Sequence, residues 1–271
     1  MIPFYDTHAH LDFPEFREDL PAVLERAAAA GITRIITIGT DLDSSRQAVA
    51  LAERHPQLYA VVGWHPSHVS AAPPDLRPAL RELARHPRVV AIGETGLDYH
   101  RQPSTKPGGC AAEDERCKQD QARVFCQQLE VAAECGLNVV VHQRDSFEDT
   151  LAQMQPFAGR VRGVFHCFGG SVIQMQRVLA LGSLVSFTGV VTFKNADEVR
   201  ATVAATPIDR LMLETDCPYL APVPYRGKRC EPAYVREIAE AVARAKSCTL
   251  DELSRATDQT ARVFFPRLNA A

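Results

Sequence analysis

Short apolar runs alternate with longer amphipathic segments along almost the whole chain. The runs are nearly continuously apolar and rich in β-branched residues, as in Ile35-Ile36-Thr37-Ile38 and Val139-Val140-Val141. Parallel strands that are covered on both faces of a sheet have this composition. The pattern predicts eight strands: Phe4–His8, Arg34–Gly39, Leu58–Trp64, Val89–Gly93, Asn138–His142, Val161–His166, Ser183–Thr188 and Arg210–Glu214.

Segments with helical periodicity lie between these strands. In Asp19–Ala30, Pro21 stands in the first turn and Gly31 just past the end, as is typical of helix termini. Further helices are predicted at Ser44–Arg54, Leu76–Arg85, Lys118–Glu134 and Val172–Leu181, with one or two more in Pro232–Phe265. Eight β-α units in series predict a (β/α)₈ TIM barrel, a single domain over residues 1–271 with C-terminal helices. A doubly wound open sheet is the alternative, but its glycine-rich phosphate loop is missing after the first strand.

One long segment shows no periodicity. It runs from His100 to Glu115 and contains Pro103, Pro107 and Gly108. Loops of this length in a compact domain tend to be functional or disordered. We therefore interpret this segment as a candidate lid over the site.

Composition and charge narrow the class of protein. The 271 residues carry a formal net charge of −3, which argues mildly against non-specific coating of nucleic acid but not against a nuclease. Eight scattered cysteines without a CxxC pair indicate free thiols in a reducing compartment. The first residues lack the features of a secretory signal, and no apolar stretch approaches the length of a membrane span. We expect a cytoplasmic protein that does not bind membranes.

Metal-binding side chains recur at the carboxyl ends of the predicted strands, where this fold builds its active sites. They are His8, His10, Glu94, His142, His166 and Asp216. His8 and His10 are two residues apart, so both point to the same face of their strand. Glu94 lies between the two groups of histidines and could bridge them. The set predicts two divalent ions per chain, with Zn²⁺ or Mn²⁺ more natural than Mg²⁺ beside so many imidazoles.

Other polar residues near this rim have candidate roles in catalysis. Asp216 is the carboxylate we expect to accept a proton from the attacking water. Glu214, two residues earlier, is either the alternative base or a support for the metal ligands. His65, after the third strand, is a candidate for contact with substrate.

Basic residues on the same rim are candidates for binding phosphate. Arg144 could bind it in a bidentate manner or form a salt bridge with Asp145. Arg226 and Lys228, with Arg229, form a short basic cluster directly after the eighth strand. Three aromatic residues could stack on bases or simply pack at the rim: Trp64, Tyr99 and Tyr225.

The ordered motifs resemble those of the TatD family of metal-dependent deoxyribonucleases, within the amidohydrolase-like TIM barrels. The motifs span essentially the whole chain: Asp6-Thr7-His8-Ala9-His10-Leu11, Gly63-Trp64-His65-Pro66, Gly93-Glu94-Thr95-Gly96-Leu97-Asp98-Tyr99, His142-Gln143-Arg144-Asp145, His166-Cys167-Phe168-Gly169-Gly170 and Leu213-Glu214-Thr215-Asp216-Cys217-Pro218-Tyr219-Leu220. An HxH motif alone is weak, whereas the whole set in order is very specific.

The resemblance implies how the ligands are divided. His8, His10, Glu94 and Asp216 would hold the first ion, and Glu94 with His142 and His166 the second. It also implies the substrate, which is DNA cut at phosphodiester bonds, often from the 3′ end of single strands. Two departures from the family concern substrate preference: the segment 101–118 is longer than usual, and Cys230 stands where an asparagine is frequent.

Two other functions remain open from sequence. The first is hydrolysis of an amide, lactone or phosphoester in a small metabolite. The second is non-catalytic metal binding or partner docking, which the large ligand set opposes, because structural metal sites are closed by four protein ligands. The basic loop after Asp216 favours a phosphate-containing substrate, and no obligate protein partner is implied.

Overall fold

In the computed structural model, the chain forms an eight-stranded parallel sheet that curls into a nearly closed barrel. The structure describes residues 2–105 and 108–269. Each strand pairs in parallel with the next one in sequence. The strands are β1 (Phe4–Ala9), β2 (Ile32–Ile38), β3 (Leu58–Val62), β4 (Val89–Asp98), β5 (Asn138–Arg144), β6 (Gly163–Phe165), β7 (Leu184–Phe187) and β8 (Leu211–Leu213). The predicted (β/α)₈ barrel is therefore confirmed, with all eight strands in place.

The barrel closes between β8 and β1 through the segment that follows β8. Ala9 forms an isolated parallel bridge with Cys217. The backbone N–H of Asp216 donates to the carbonyl of His8 at 2.9 Å, and that of His10 donates to the carbonyl of Cys217 at 2.9 Å. The first strand and the segment after the last strand meet in this way, and residues from both reach the same rim.

Helices cover the outside of the sheet. The described residues form nine α-helices: α1 (Leu20–Ala29), α2 (Leu42–Arg54), α3 (Arg77–Ala84), α4 (Ala111–Cys135), α5 (Phe147–Met154), α6 (Val172–Ala180), α7 (Asp197–Ala205), α8 (Val235–Lys246) and α9 (Leu250–Phe264). The tail contains two of them, as the sequence allowed. None of the helices in the described part is long and apolar enough to cross a membrane.

Alternate residues of the strands join two different apolar clusters. Ile35, Leu58 and Ala60 belong to the large cluster shared with the helices. Ile36 and Tyr59, one residue along in each strand, belong to a second cluster that includes the side chains of three residues near the C-terminus: Phe264, Phe265 and Leu268. The second cluster fills the barrel, because successive side chains of a strand point to opposite faces.

The C-terminal residues close the amino end of the barrel. The side-chain amide of Asn138, at the start of β5, donates to the carbonyl of Phe264 at 2.6 Å. Arg267 donates to the carbonyl of Val89, at the start of β4, at 2.8 Å. The carboxyl ends of the strands are consequently the open end.

Helix α4 begins at Ala111, seven residues before the predicted start at Lys118. The prediction of an irregular segment over His100–Glu115 is therefore wrong from Ala111 onward. Glu113 explains the early start, because its carboxylate accepts a hydrogen bond from the backbone N–H of Cys110 at 3.0 Å. Acidic side chains in a first turn also interact favourably with the helix dipole. Pro107, in the same segment, lies outside the described residues.

Candidate metal centre

The six predicted ligands come together at the carboxyl ends of the strands. His8 and His10 extend from the end of β1, Glu94 lies in β4 and His142 in β5. His166 directly follows β6, and Asp216 lies three residues after β8. Glu94 is at the centre, because its two oxygens face different imidazoles. Its Oε2 lies 3.4 Å from Nε2 of His8, and its Oε1 lies 2.8 Å from Nε2 of His166.

The first group of ligand atoms comes from β1 and the segment after β8. The Nε2 atoms of His8 and His10 face each other at 3.3 Å. Oδ1 of Asp216 lies 3.6 Å from Nε2 of His8 and 3.4 Å from Nε2 of His10. These three residues form one of the clusters that could hold an ion. Asp216 has a left-handed backbone, with φ of 58°.

The second group lies around Oε1 of Glu94. Nδ1 of His142 is 2.9 Å from this oxygen and 3.2 Å from Nε2 of His166. His65 also reaches it, with Nε2 at 3.3 Å. His65 was predicted to contact substrate, and the structure places it within the cluster that includes Glu94 and His142. Its position allows it either to bind an ion or to contact a substrate beside one.

Glycines allow β4 to approach its neighbours closely in the Gly-Glu-Thr-Gly motif. Gly96 pairs with His142 in the register of β4 and β5. A Cβ atom at Gly96 would lie 2.0 Å from the carbonyl oxygen of His142, and its φ of +128° disfavours other residues. At Gly93, whose φ is +147°, a Cβ atom would lie 2.7 Å from the carbonyl of Val140. The motif thus brings Glu94 and His142 together.

Further side chains fix the orientation of the imidazoles. Oδ2 of Asp98 lies 3.3 Å from Nε2 of His142, so that Nδ1 is the nitrogen that faces Glu94. Nδ1 of His10 donates to the carbonyl of Ile38 at 3.2 Å, which leaves the Nε2 lone pair for the site. Such partners set the tautomer of a metal-binding histidine. The sequence analysis gave no role to Asp98, although it lies four residues from Glu94, on the same face of β4.

Glu214 lies beside the other nitrogen of His166, slightly beyond hydrogen-bond distance. It is buried, and Oε1 lies 3.6 Å from Nδ1 of His166. The same oxygen accepts a hydrogen bond from the backbone N–H of Cys167 at 2.6 Å. Of its two predicted roles, the geometry favours support of a ligand over acceptance of a proton.

Asp6 connects β1 to the segment that carries Asp216. Its fully buried carboxylate accepts hydrogen bonds from the backbone N–H of Thr215 at 2.9 Å and from the Thr215 hydroxyl at 2.6 Å. Burial raises the pKa of Asp6 to about 8 although these bonds favour the charged form. The sequence analysis read Asp6 only as the start of the HxH motif.

The electrostatics of the cluster fit divalent cations. Burial lowers the pKa of His166, but the carboxylates of Glu94 and Glu214 outweigh burial and raise it well above its usual value. Burial raises the pKa of Asp216, but the nearby imidazoles of His10, His8 and His166 outweigh it and lower that pKa. Burying several carboxylates is costly unless positive charge compensates them. Imidazole nitrogens and carboxylate oxygens that converge at these distances are the donor set of Zn²⁺ and related ions.

The cluster lies at the floor of an open cleft of about 1190 Å³. Arg144 lines the wall of this cleft, as does Arg101. The alternative salt bridge between Arg144 and Asp145 is not formed, and Asp145 pairs instead with Nδ1 of His100 at 2.8 Å. The structure thus brings Arg144 close to the cluster.

The basic loop after β8 lies elsewhere. Among the described residues, Arg226 and Lys228 are outside the lining of the cleft. The Arg226 guanidinium covers the ring of Phe193 at 3.8 Å and donates to a backbone carbonyl. Arg229 is held in an ion pair with Asp19 at 2.7 Å. A role for Arg226 and Lys228 in binding substrate stays a prediction.

The chain is similar to known proteins over nearly its whole length. A family model described as TatD related DNase matches residues 5–266. The Bacillus subtilis protein named uncharacterized metal-dependent hydrolase YabD is 38% identical, over 98% of this chain and 99% of its own. A protein of Enterobacter lignolyticus named 3′-5′ ssDNA/RNA exonuclease TatD is 37% identical, over 96% of this chain and 98% of its own. The crystal structure of the TatD homologue YJJV from Escherichia coli superposes with a TM-score of 0.87 at 30% identity, covering 98% and 99% of the two chains.

Proposed function

The chain belongs to the TatD family of metal-dependent hydrolases, and from this premise we propose that it is a deoxyribonuclease that degrades single-stranded DNA from the 3′ end. The single observation that carries the proposal is the convergence of His8, His10, His142, His166 and Asp216 around Glu94 at the floor of an open cleft. Relatives named as exonucleases acting on single-stranded DNA and RNA support the substrate class.

We propose two divalent ions per chain. His8, His10, Glu94 and Asp216 would hold the first, and Glu94 with His142 and His166 the second. The donor set favours Zn²⁺ or Mn²⁺ and allows Mg²⁺. Two such ions would neutralise the phosphate and make water a better nucleophile.

Asp216 is the residue we propose to accept the proton of the attacking water. One of its oxygens faces His8 and His10, and the residue lines the cleft, where water and substrate have access to it. Glu214 is a less suitable base, because it is buried and already engaged with His166 and with the N–H of Cys167. We assign Glu214 the role of holding His166 in position.

We propose that His65 and Arg144 contact the phosphate from the wall of the cleft, since both line it. Arg226 and Lys228 lie outside the cleft and could contact only a part of the DNA strand that is distant from the cleaved bond. Arg144 has a fork of donors that matches a phosphate. Alanine at Arg144 should therefore weaken substrate binding more than alanine at Lys228.

A cytoplasmic location completes the proposal. All eight cysteines are free thiols, which suits a reducing compartment. We further propose that residues 1–271 act as one domain without an obligate protein partner.

The test is turnover of 3′-labelled single-stranded DNA, with single-stranded RNA of the same sequence in parallel, in the presence of Mg²⁺, Mn²⁺ or Zn²⁺. Wild type should release mononucleotides, and the variant His142→Ala should not. His86→Ala is a matched control, because His86 pairs with Glu53 away from the site. Hydrolysis of a small ester or amide without any cleavage of nucleic acid would overturn the proposal in favour of a metabolite hydrolase.

A further inference from the structure

Two aromatic side chains that the sequence analysis did not single out line the cleft next to the proposed first metal position. The ring of Phe13 stacks on the imidazole of His10, with centroids 4.7 Å apart and planes inclined by 23°. The ring of Tyr219 meets Phe13 edge to face, with centroids 6.2 Å apart. Tyr219 is 52% exposed although it lines the cleft. Phe13 and Tyr219 therefore form an apolar surface next to His10, and the ring of Tyr219 is accessible.

The aromatic residues that the sequence suggested for stacking are engaged elsewhere. Trp64 is buried. Tyr225 stacks on Tyr234 with centroids 4.1 Å apart. Tyr99 lines the cleft, but its hydroxyl donates to Asp149 at 2.9 Å and its ring faces the Lys118 ammonium at 4.9 Å. Tyr219 is thus the aromatic ring of the cleft best able to receive a base.

The cleft also presents unpaired positive charge. Arg101 and Arg144 are exposed in its wall, and neither guanidinium has an ion-pair partner among the described residues. Burial and the carboxylates of Glu15 and Asp216 raise the pKa of Tyr219, and the Arg101 guanidinium opposes that rise. The acidic side chains of the wall away from the imidazole cluster are each engaged by a neighbour: Asp145 by His100, Glu148 by Arg177 and Asp149 by Tyr99. Arg101 and Arg144 consequently remain available for an anion.

We propose that Phe13 and Tyr219 form a nucleobase subsite for one of the two nucleotides that flank the cleaved bond. Arg101 and Arg144 bind backbone phosphate on the same strand. The combination of stacking rings and a basic groove is typical of sites for single-stranded nucleic acid. This inference rests on the proposed function and adds that the enzyme recognises the base itself as well as the phosphodiester.

The test compares three oligonucleotides of equal length: one with all its bases, one with an abasic residue at the 3′ end, and one with an abasic residue at the penultimate position. Base–aromatic stacking should make wild type prefer the intact strand over one of the abasic strands by roughly 5- to 150-fold in kcat/KM. Tyr219→Ala should reduce the ratio of kcat/KM between the intact and the abasic strand toward 1. Tyr219→Phe, which keeps the ring, should retain the wild-type ratio. Phe13→Leu should reduce it in part.

Val263→Ala is the control for removal of an exposed apolar side chain, since Val263 is 55% exposed on the outer helix α9. It should retain the preference of wild type. All variants should contain the metal content of wild type and melt within a few degrees of it, which shows that they fold. If wild type cleaves both abasic strands as fast as the intact one, or if Tyr219→Ala keeps the full preference, the subsite is overturned while the nuclease proposal stands.

A second measurement does not need turnover. An oligonucleotide carrying 2-aminopurine at the sensitive position is mixed with protein, and its fluorescence is followed before cleavage. Stacking should quench it with wild type and with Tyr219→Phe, but not with Tyr219→Ala. Quenching without DNA cleavage would support the subsite and reject the nuclease proposal, and unchanged fluorescence with wild type would reject the subsite.

Discussion

The two ends of the barrel are built from the same strands but by opposite chemistry. In β5, Val140 belongs to the apolar cluster closed by Phe264, whereas His142, two residues later, belongs to the polar cluster. In β4, Val90 and Glu94 show the same contrast. The amino end is filled and sealed, while the carboxyl end is open and carries buried charge. Stability and chemistry are therefore separated along the axis of one sheet.

This separation has an energetic reason. Apolar burial stabilises a fold in proportion to area and needs no exact partner. Buried carboxylates and imidazoles are stabilising only with hydrogen bonds or ions in place. The sealed end can therefore offset the cost of the open end, and changes at the two ends should be distinguishable by experiment.

The largest effect is expected from Glu94→Gln at the open end. Glu94 faces five imidazoles, and glutamine would remove the charge shared by both groups of ligands. We expect kcat to fall by about 1,000-fold or more, since the contribution of the ions is several kcal/mol, together with loss of bound metal by elemental analysis. Glu134→Gln, which alters an exposed ion pair with Arg81, should change neither quantity. Wild-type metal content in Glu94→Gln would show that Glu94 does not bind the ions.

At the sealed end, Phe264→Ala should lower stability and leave activity and metal content unchanged. Phe264 is fully buried, so its truncation should lower the free energy of unfolding by about 3–5 kcal/mol. Denaturant titration measures this loss, and kcat and metal content per folded chain should stay at the wild-type level. If Phe264→Ala instead loses metal without losing stability, the two ends are coupled and the comparison fails.

The smallest of the three effects is expected from Glu214→Gln. This variant distinguishes the two roles considered for Glu214, which are support of His166 and acceptance of a proton. If Glu214 holds His166 in position, metal affinity or activity should fall by about 10- to 100-fold. Asp98→Asn, which alters the corresponding partner of His142, should give a similar loss. Metal titration followed by kcat at saturating metal is the measurement. A kcat that stays very low at full metal occupancy, with unchanged metal affinity, would instead make Glu214 the base.

The strands and the convergence of the proposed metal ligands could be predicted from sequence because both depend on local pattern. Continuous apolar runs of β-branched residues are specific to buried parallel strands, and a histidine or carboxylate at the end of such a run is placed at one rim by the topology. His142 and Glu94 were assigned on this basis. The eight predicted β-α units imply helices at the positions of α5 and α7, but the sequence analysis gave these two helices no bounds, and neither has a side-chain N-cap hydrogen bond.

The supporting residues could not be predicted, because their roles depend on contacts between distant segments. Asp6 meets Thr215 across 209 residues of sequence, and Phe13 meets Tyr219 after the barrel has closed. The basic loop shows the converse case, in which residues close to the site in sequence lie away from it in the structure. Arg226 is adjacent to the site in sequence, but its guanidinium turns to the ring of Phe193. Proximity in sequence does not determine where a long side chain points.

The junction between β1 and the segment after β8 has a consequence for synthesis of the protein. His8 and His10 leave the ribosome first, and their proposed partner Asp216 follows more than 200 residues later. A chain that has been made only through β7 therefore lacks an essential part of the hydrolytic site. If the proposed function holds, completion of the barrel and acquisition of nuclease activity are one event, and an unfinished chain does not cut the nucleic acids around it.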